Sequence, residues 1–367
     1  MRGRHLRTLA PLAALCAAMS GIGLTAYAAA IVGPPRTLEI FSTDRSPATG
    51  QPSADYRRPA TIPFPKDNPY TVEKAVLGKK LFFDTRLSGA NVLSCATCHN
   101  PAFGWGDGQP RGVGHAMRIL GRRSPTIINT AWAQIFMWDG RAATLEQQAL
   151  GPMRAEAEMN LPIEHLVERL SAIDQYRSLF AAAFPNEPIA ADNIAKALAT
   201  YERTVVSGWS PFDAWIEGDE AAIPESAKRG FVLFRTKAGC VECHRGWNFT
   251  EDSFHDVGLP SADIGRGAFV PGVVKLQHAF KTPGLRDIAR RGPFMHDGSL
   301  ATLEAVVDHY DQGGMIRPSQ SELVKPLGLS AQEKADLIAF LETLTGNSNP
   351  TTIPVLPRRA ANSHETR

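Results

Sequence analysis

Two short motifs carry the most distinctive chemistry of this sequence. Each has two cysteines separated by two residues, with a histidine directly after the second cysteine, and the motifs begin 145 residues apart. In such a motif the thiols form thioethers to a porphyrin and the histidine ligates its iron. The sequence therefore predicts two covalently attached haem c groups. The attachment residues would be Cys95, Cys98, Cys240 and Cys243, and the iron ligands His99 and His244.

A zinc site built from the two cysteine pairs, or a redox-active dithiol, is the competing interpretation of these motifs. Neither explains why a histidine follows both pairs. The chain has five cysteines. Because Cys16 lies in a predicted export signal, the motifs contain all the others. An exported chain with no remaining cysteine has no structural disulfide, which favours haem attachment.

The N-terminus has the pattern of a secretory signal peptide over residues 1–28. Three arginines in the first seven residues precede an apolar run over residues 9–24, and Ala-Tyr-Ala at residues 26–28 resembles a cleavage site. A retained membrane anchor is the alternative, but we expect export to the periplasm. Without this segment the chain has 36 basic and 37 acidic residues, so its charge gives no reason to expect nucleic-acid binding.

The rest of the chain repeats itself. Residues 136–146 and 294–304 are identical at eight of eleven positions, at an offset of 158 residues. Such self-similarity indicates two related units, each with one cysteine motif. The predicted order is a Pro-rich arm (29–65), an N-terminal domain (66–220), a C-terminal domain (221–346) and a polar tail (347–367).

Apolar residues at helical spacing predict a mainly α fold. The predicted helices cover residues 72–83, 163–170, 189–205, 227–234, 303–310 and 331–344, and Thr144 is the predicted N-cap of another helix. Long loops rich in Gly and Pro separate them, as expected where loops wrap a bound group. We therefore expect two cytochrome c-like haem domains, related by internal duplication and packed together.

The chain resembles the bacterial dihaem cytochrome c peroxidases and their MauG relatives over about residues 66–345. The matching segments occur in the same order and with similar spacing. They are residues 81–88, 124–126, 138–142, 151–152, 158–160 and 295–298. The resemblance implies that the N-terminal haem reacts with peroxide and that the C-terminal haem receives electrons.

The resemblance also implies roles for three residues around the N-terminal haem. Trp138 matches a tryptophan that lies between the haems and could relay electrons. Glu158 matches a distal carboxylate that moves protons during peroxide cleavage. His115 matches a histidine that, in many dihaem peroxidases, ligates the N-terminal iron until reduction of the other haem releases it. Without the resemblance, Trp138 would be interpreted as a buried aromatic residue and Glu158 as an ordinary surface acid, and a solvated loop histidine is the alternative for His115.

Tyr310 departs from the peroxidases, which place a methionine ligand of the C-terminal haem here, whereas MauG-like enzymes place a tyrosine. Leu303, Val307 and Tyr310 follow helical spacing, so Tyr310 should lie on an apolar helix face. A phenolate ligand would lower the haem potential relative to methionine. Met295 and Met315 are alternative ligands, and a core tyrosine without a ligand role is the other interpretation.

A second departure concerns the calcium ion that the family often holds between its domains. Arg123 stands where the family has an asparagine ligand, and Arg291 lies where a carbonyl donor is expected. Because Ca²⁺ needs oxygen ligands and a guanidinium repels it, a calcium site is doubtful. The arginines could replace its structural role by pairing with acids.

Together these features predict a periplasmic peroxidase-type oxidoreductase that reduces hydrogen peroxide to water with electrons from a small cytochrome c or cupredoxin. Two alternatives remain. A MauG-like enzyme would use peroxide to oxidise a protein or organic substrate, which Tyr310 favours, whereas His115 favours the peroxidase. A non-catalytic dihaem electron carrier is disfavoured by Glu158. The sequence leaves open whether the chain forms a homodimer.

Overall fold

The computed structural model describes residues 54–347 and 350–358, so the predicted signal peptide and most of the predicted arm lie outside the described residues. In these residues ten α-helices accompany one two-stranded antiparallel sheet of β1 (Phe254–His255) and β2 (Phe280–Lys281). The helices are α1 (Val72–Phe83), α2 (Cys95–Cys98), α3 (Leu145–Arg154), α4 (Ile163–Ser171), α5 (Asp174–Ala183), α6 (Ala191–Arg203), α7 (Pro211–Ile216), α8 (Glu225–Arg235), α9 (Leu303–Gln312) and α10 (Ala331–Thr343). The prediction of a mainly α fold is confirmed. None of the described helices is both long and apolar enough to cross a membrane.

The helices that apolar spacing predicted all form, with ends within two residues of the predicted ones. The predicted N-cap of α3 is also present, since the Thr144 hydroxyl accepts the N–H of Gln147 at 3.1 Å. The sequence analysis did not predict α2, α5 and α7. One signal for α7 was readable, because Ser210 and Asp213 form a reciprocal capping box at its start.

Two separate apolar cores organise these helices. Residues of α1, α3, α4, α5 and α6 form the first core, and residues of α7, α8, α9 and α10 form the second. Phe212 and Trp215 already pack in the second core. The change of core therefore falls between Val205 and Phe212, earlier in the chain than the predicted domain boundary at residue 221.

Both ends of the described chain pack against the helices. Tyr56, from the predicted arm, is buried in the second core. Arg58 reaches the Asp213 carboxylate at 3.3 Å. In the predicted tail, the Val355 carbonyl accepts a hydrogen bond from Lys80 Nζ at 2.6 Å. The described parts of the arm and of the tail are thus attached to the two cores.

Equivalent glycines let one helix pair in each core approach closely. α1 packs on α6, and α8 packs on α10. A Cβ at Gly78 would lie 1.9 Å from the Ala197 carbonyl oxygen, and a Cβ at Gly230 would lie 1.9 Å from that of Asp336. No side chain fits at such a distance, so only glycine permits these crossings.

The two repeated segments, residues 136–146 and 294–304, adopt the same backbone. Each closes with an antiparallel bridge, has a methionine and a glycine with positive φ, and ends at a threonine that caps the next helix. The bridges are Phe136–Ala142 and Phe294–Leu300, the positive-φ residues are Met137, Met295, Gly140 and Gly298, and the caps are Thr144 and Thr302. The repeat therefore positions equivalent side chains, Trp138 and His296, at equivalent points of the fold.

Candidate functional site

Two cavities contain the two cysteine motifs. The first cavity is lined by Cys95, Cys98 and His99, and the second by Cys240, Cys243 and His244. Each motif forms a helical turn in its cavity wall, α2 for the first and a 3₁₀ turn (Cys240–Glu242) for the second. His99, Trp138 and Glu202 line both cavities, so the two share part of a wall.

The motif histidines are oriented by backbone carbonyls. His99 Nδ1 donates to the Pro125 carbonyl and His244 Nδ1 to that of Phe249, each at 2.9 Å. Such a bond fixes the tautomer and leaves Nε2 available to a metal. Burial lowers the pKa of both histidines, which favours the neutral imidazole that a metal ion requires.

The donor set of each cavity fits a covalently held haem. None of the motif cysteines forms a disulfide among the described residues. Each pair of thiols shares a cavity with a histidine whose Nε2 is free. Thioether attachment and axial ligation by His99 and His244 need this combination.

Glu158 lines the first cavity together with Arg141. It lies in the turn after α3, where its N–H donates to the Ala155 carbonyl at 3.0 Å. Burial raises the pKa of Glu158, while the Arg141 guanidinium lowers it by less. A carboxyl group with a raised pKa takes up a proton more readily than an exposed glutamate does, which suits a group that accepts and returns protons.

His115 contacts the Glu158 turn through its backbone. Its N–H donates to the carbonyls of Ala157 at 3.1 Å and Glu158 at 2.7 Å. Gly114 permits this approach, because a Cβ there would lie 2.0 Å from the Ala157 oxygen. The half-buried His115 side chain is not among those lining the first cavity, although Gly114 is. The structure thus brings His115 next to Glu158 without placing its imidazole in the cavity wall.

Trp138 lies in the wall that the cavities share. Its indole Nε1 donates to the Arg123 carbonyl at 2.9 Å, and its own carbonyl accepts the N–H of Lys281 from β2 at 2.8 Å. The indole and the backbone of Trp138 are therefore bound to backbone groups of different halves of the chain. A position of Trp138 between two haems stays a prediction.

Tyr310 lies in the wall of the second cavity, on the α9 face that also presents Leu303 and Val307. The predicted apolar helix face is confirmed. Burial raises the pKa of the Tyr310 phenol, and the nearby Cys240 and Cys243 raise it further. Of the two alternative ligands, Met295 lines this cavity, whereas Met315 is 44% exposed.

Arg123 and Arg291 are buried where a calcium ion was considered. The Arg123 guanidinium donates to the Arg291 carbonyl, and the Arg291 guanidinium donates to the Gly284 carbonyl. Burial, followed by the charge of Arg123, lowers the pKa of Arg291 to about 9. Carbonyls that could bind Ca²⁺ are thus occupied by cations, so this donor set does not fit the ion. Neither arginine forms an ion pair among the described residues, so the guanidinium groups bind carbonyls rather than the acids that the sequence left as a possibility.

Two residues of the cavity walls were missed by the sequence analysis. His296 lines the second cavity with 3% exposure, and the ring of Phe280 stacks on it at 3.6 Å. Its repeat partner, Trp138, was the readable signal. Glu202 lines both cavities, and its spacing of four and eight residues from Leu198 and Ile194 places it on the buried face of α6.

Comparison with known proteins shows which protein family this chain is similar to. The family model described as di-haem cytochrome c peroxidase matches residues 72–221. The methylamine utilization protein MauG of Methylorubrum extorquens is 54% identical over 83% of this chain and 87% of that protein. The cytochrome c551 peroxidase of Pseudomonas aeruginosa is 34% identical over 80% of this chain and 84% of that protein.

A solved structure supports the same assignment of fold. A MauG-like protein associated with microbial copper homeostasis superposes with a TM-score of 0.73 and 34% sequence identity. The match covers 81% of this chain and 97% of that protein.

Proposed function

This chain belongs to the dihaem cytochrome c peroxidase and MauG family, and we propose that, within this family, it is a MauG-like enzyme that uses peroxide to oxidise a protein. The observation that carries the proposal is its 54% identity with a MauG, against 34% with a cytochrome c551 peroxidase. Tyr310 in the wall of the second cavity supports it, because the resemblance assigns a tyrosine at this position to MauG-like enzymes. The proposal reverses the order of the two functions predicted from sequence.

The chain is a dihaem c-type oxidoreductase acting on peroxide. When bound, the haems supply iron for peroxide and two redox centres. We propose that Cys95, Cys98 and His99 hold the peroxide-reacting haem in the first cavity. The second motif and Tyr310 then hold the electron-transfer haem. Peroxide takes two electrons and two protons to give two water molecules, and the protein substrate loses the two electrons.

The proposed proton carrier is Glu158. Its carboxylate lines the first cavity, and its raised pKa suits a group that receives a proton from one peroxide oxygen and returns it to the other. Arg141, in the same wall, balances the charge of the ionised form. We propose that Trp138 relays electrons across the wall that both cavities share.

The substrate is proposed from the name and chemistry of the relative. Because the 54% identical protein is a methylamine utilization protein, we propose that the substrate is a periplasmic protein of methylamine utilization. The predicted signal peptide supports a periplasmic location. Two cores, two glycine crossings and a repeated backbone segment support two haem domains that arose by duplication, with their boundary between Val205 and Phe212 rather than at residue 221.

The second candidate is the peroxidase fed by a small cytochrome c or cupredoxin, and His115 is the residue that favours it. Its imidazole would have to enter the first cavity to ligate iron. Because the His115 N–H donates to the Glu158 carbonyl, we propose that such a movement would also displace the proton carrier. The remaining alternative, a dihaem electron carrier without catalytic activity, is disfavoured because Glu158, a group that can take up a proton, lines the first cavity.

A paired assay separates the candidates. The oxidised holoprotein is mixed with peroxide, first with reduced cytochrome c and then with periplasmic protein from a strain that lacks this chain and grows on another carbon source with methylamine added. The proposal predicts slow cytochrome oxidation and a peroxide-dependent mass change in one periplasmic protein. Rapid cytochrome oxidation, without a mass change in any protein, would favour the peroxidase instead.

A further inference from the structure

Glu202 is a buried carboxyl group in the wall between the two cavities. It lies in the last turn of α6, is 4% exposed and lines both cavities. Neither the motifs nor the proposed proton carrier involves it. A carboxyl group in an apolar interior costs free energy when it ionises, unless a cation or hydrogen-bond donors compensate the charge.

The surroundings of Glu202 provide little compensation. Its Oε2 has no hydrogen-bond partner among the described residues. The adjacent cation, Arg203, instead donates to both oxygens of Glu146, at 2.6 and 3.1 Å. Asn68 donates to Glu146 as well, at 2.8 Å. The ion pair between Arg203 and Glu146 therefore leaves Glu202 as the uncompensated member of this group.

Few titratable groups face Glu202 from the neighbouring elements. Arg203 and Tyr201 lie on α6 itself, Glu146 lies on α3, and Cys95, a thioether once haem is attached, lies on α2. Burial raises the pKa of Glu202 to about 8, and Glu146 raises it while Arg203 lowers it. Glu202 therefore carries a proton at neutral pH and is close to losing it.

We propose that Glu202 is a redox-linked proton site, which holds a proton while the two haems are reduced and releases it to solvent when they lose an electron. When the haems lose an electron, one additional positive charge remains beside the apolar wall that contains Glu202. Release of one proton from Glu202 restores the net charge, and re-reduction takes up one electron and one proton. The attraction between an ionised Glu202 and the oxidised centres is strong because little water screens it. The inference needs both haems but not the proposed protein substrate.

The test is a spectroelectrochemical titration of the holoprotein between about pH 6 and pH 10, with Glu202→Gln as the variant. If one proton is released with each electron, the midpoint potential falls by up to about 59 mV for each unit by which the pH rises. In the unmodified protein we expect at least one haem potential to fall with rising pH. In Glu202→Gln that potential should be nearly independent of pH, because the amide cannot ionise. Glu156→Gln, whose parent side chain is 78% exposed, should keep the slope.

A slope that persists in Glu202→Gln would overturn the proposal, since it would assign the proton to another group. If this variant does not attach haem, redox-difference infrared spectroscopy of the unmodified protein decides. Oxidation should remove the C=O stretch of a protonated carboxylic acid and produce carboxylate bands. A difference spectrum without that loss would also overturn the proposal.

Discussion

Glu158 is the residue on which the proposed proton transfer in the first cavity depends most directly. Glutamine keeps its shape but cannot take up a proton, so Glu158→Gln should slow the reaction with peroxide by about 10²- to 10⁴-fold. Stopped-flow spectroscopy of the haem bands measures this rate. Glu156→Gln, two residues earlier and outside the cavity wall, should react as fast as the unmodified protein. Equal rates in the two variants would remove Glu158 from the mechanism.

The pH dependence of the same reaction follows from the pKa of Glu158. Burial raises this pKa, so the ionised carboxylate that accepts a proton is present only above a higher pH than for an exposed glutamate. The rate should therefore decline as the pH falls through that raised pKa. This decline should be absent in Glu158→Gln. A decline that remains in the variant would belong to another group.

Tyr310 sets the expected potential of the second haem. A phenolate donates more charge to iron than a thioether does, so Tyr310→Met should raise the midpoint potential of that haem. Tyr56 is a suitable control, because it is buried in the second core but does not line the cavity. Tyr56→Phe should leave the potential unchanged. An unchanged potential in Tyr310→Met would exclude Tyr310 as a ligand.

The sequence predicts the role of a residue only where that residue belongs to a local pattern. The motif residues belong to such a pattern because of their spacing, and Tyr310 because it lies on an apolar helix face. For Glu202 and His296 the local signals are incomplete: helix spacing places Glu202 on a buried face and the repeat pairs His296 with Trp138, but other segments supply the partners of both residues. The Arg203–Glu146 ion pair joins residues 57 positions apart, and no local pattern predicts that it leaves Glu202 uncompensated.

At the scale of helices, the glycine crossings should limit stability. Gly78→Ala brings a Cβ against the Ala197 carbonyl, and the forced separation of α1 from α6 should cost about 1–3 kcal/mol. Urea unfolding of the holoprotein, followed by far-UV circular dichroism, measures the free energy of unfolding. Gly151→Ala, in α3 and outside both cavity walls, is the matched control, since a Cβ there would meet only Met137 Cε, at an ordinary contact distance of 3.7 Å. If both variants unfold alike, the close crossing does not limit stability.

Helix positions followed from sequence because apolar spacing and caps are local properties. The missed helices show the limit of that reasoning. α2 has only four residues, and the cap of α5, Ile173, makes no side-chain hydrogen bond. Both helices form because the surrounding segments pack against them and stabilise them. The residue pattern within one short helix does not show which segments will do so.

For the whole molecule, the repeat predicted two related units, but it did not predict how their contact is built. At that contact, the Arg123 N–H donates to the His296 carbonyl at 2.9 Å, while its guanidinium binds the Arg291 carbonyl. The sequence indicates that the calcium site is lost, because Arg123 stands at an asparagine ligand position. Only the structure shows that guanidinium groups, rather than arginine–acid pairs, occupy the backbone carbonyls that could bind the ion.

The arginines therefore predict that this protein is stable without calcium. Incubation of the holoprotein with EGTA, or with added Ca²⁺, should leave its thermal unfolding temperature unchanged. Arg123→Asn removes a charged donor from a buried carbonyl, which should cost about 1.5–3 kcal/mol, and it restores the oxygen ligand that the resemblance assigns to this position. Added Ca²⁺ should still not raise the unfolding temperature of Arg123→Asn, because the Arg291 guanidinium continues to occupy the Gly284 carbonyl. Arg118→Asn, whose parent side chain is exposed, is the control and should unfold at the temperature of the unmodified protein. A fall in the unfolding temperature of the unmodified protein in EGTA would show that the arginines do not replace the ion.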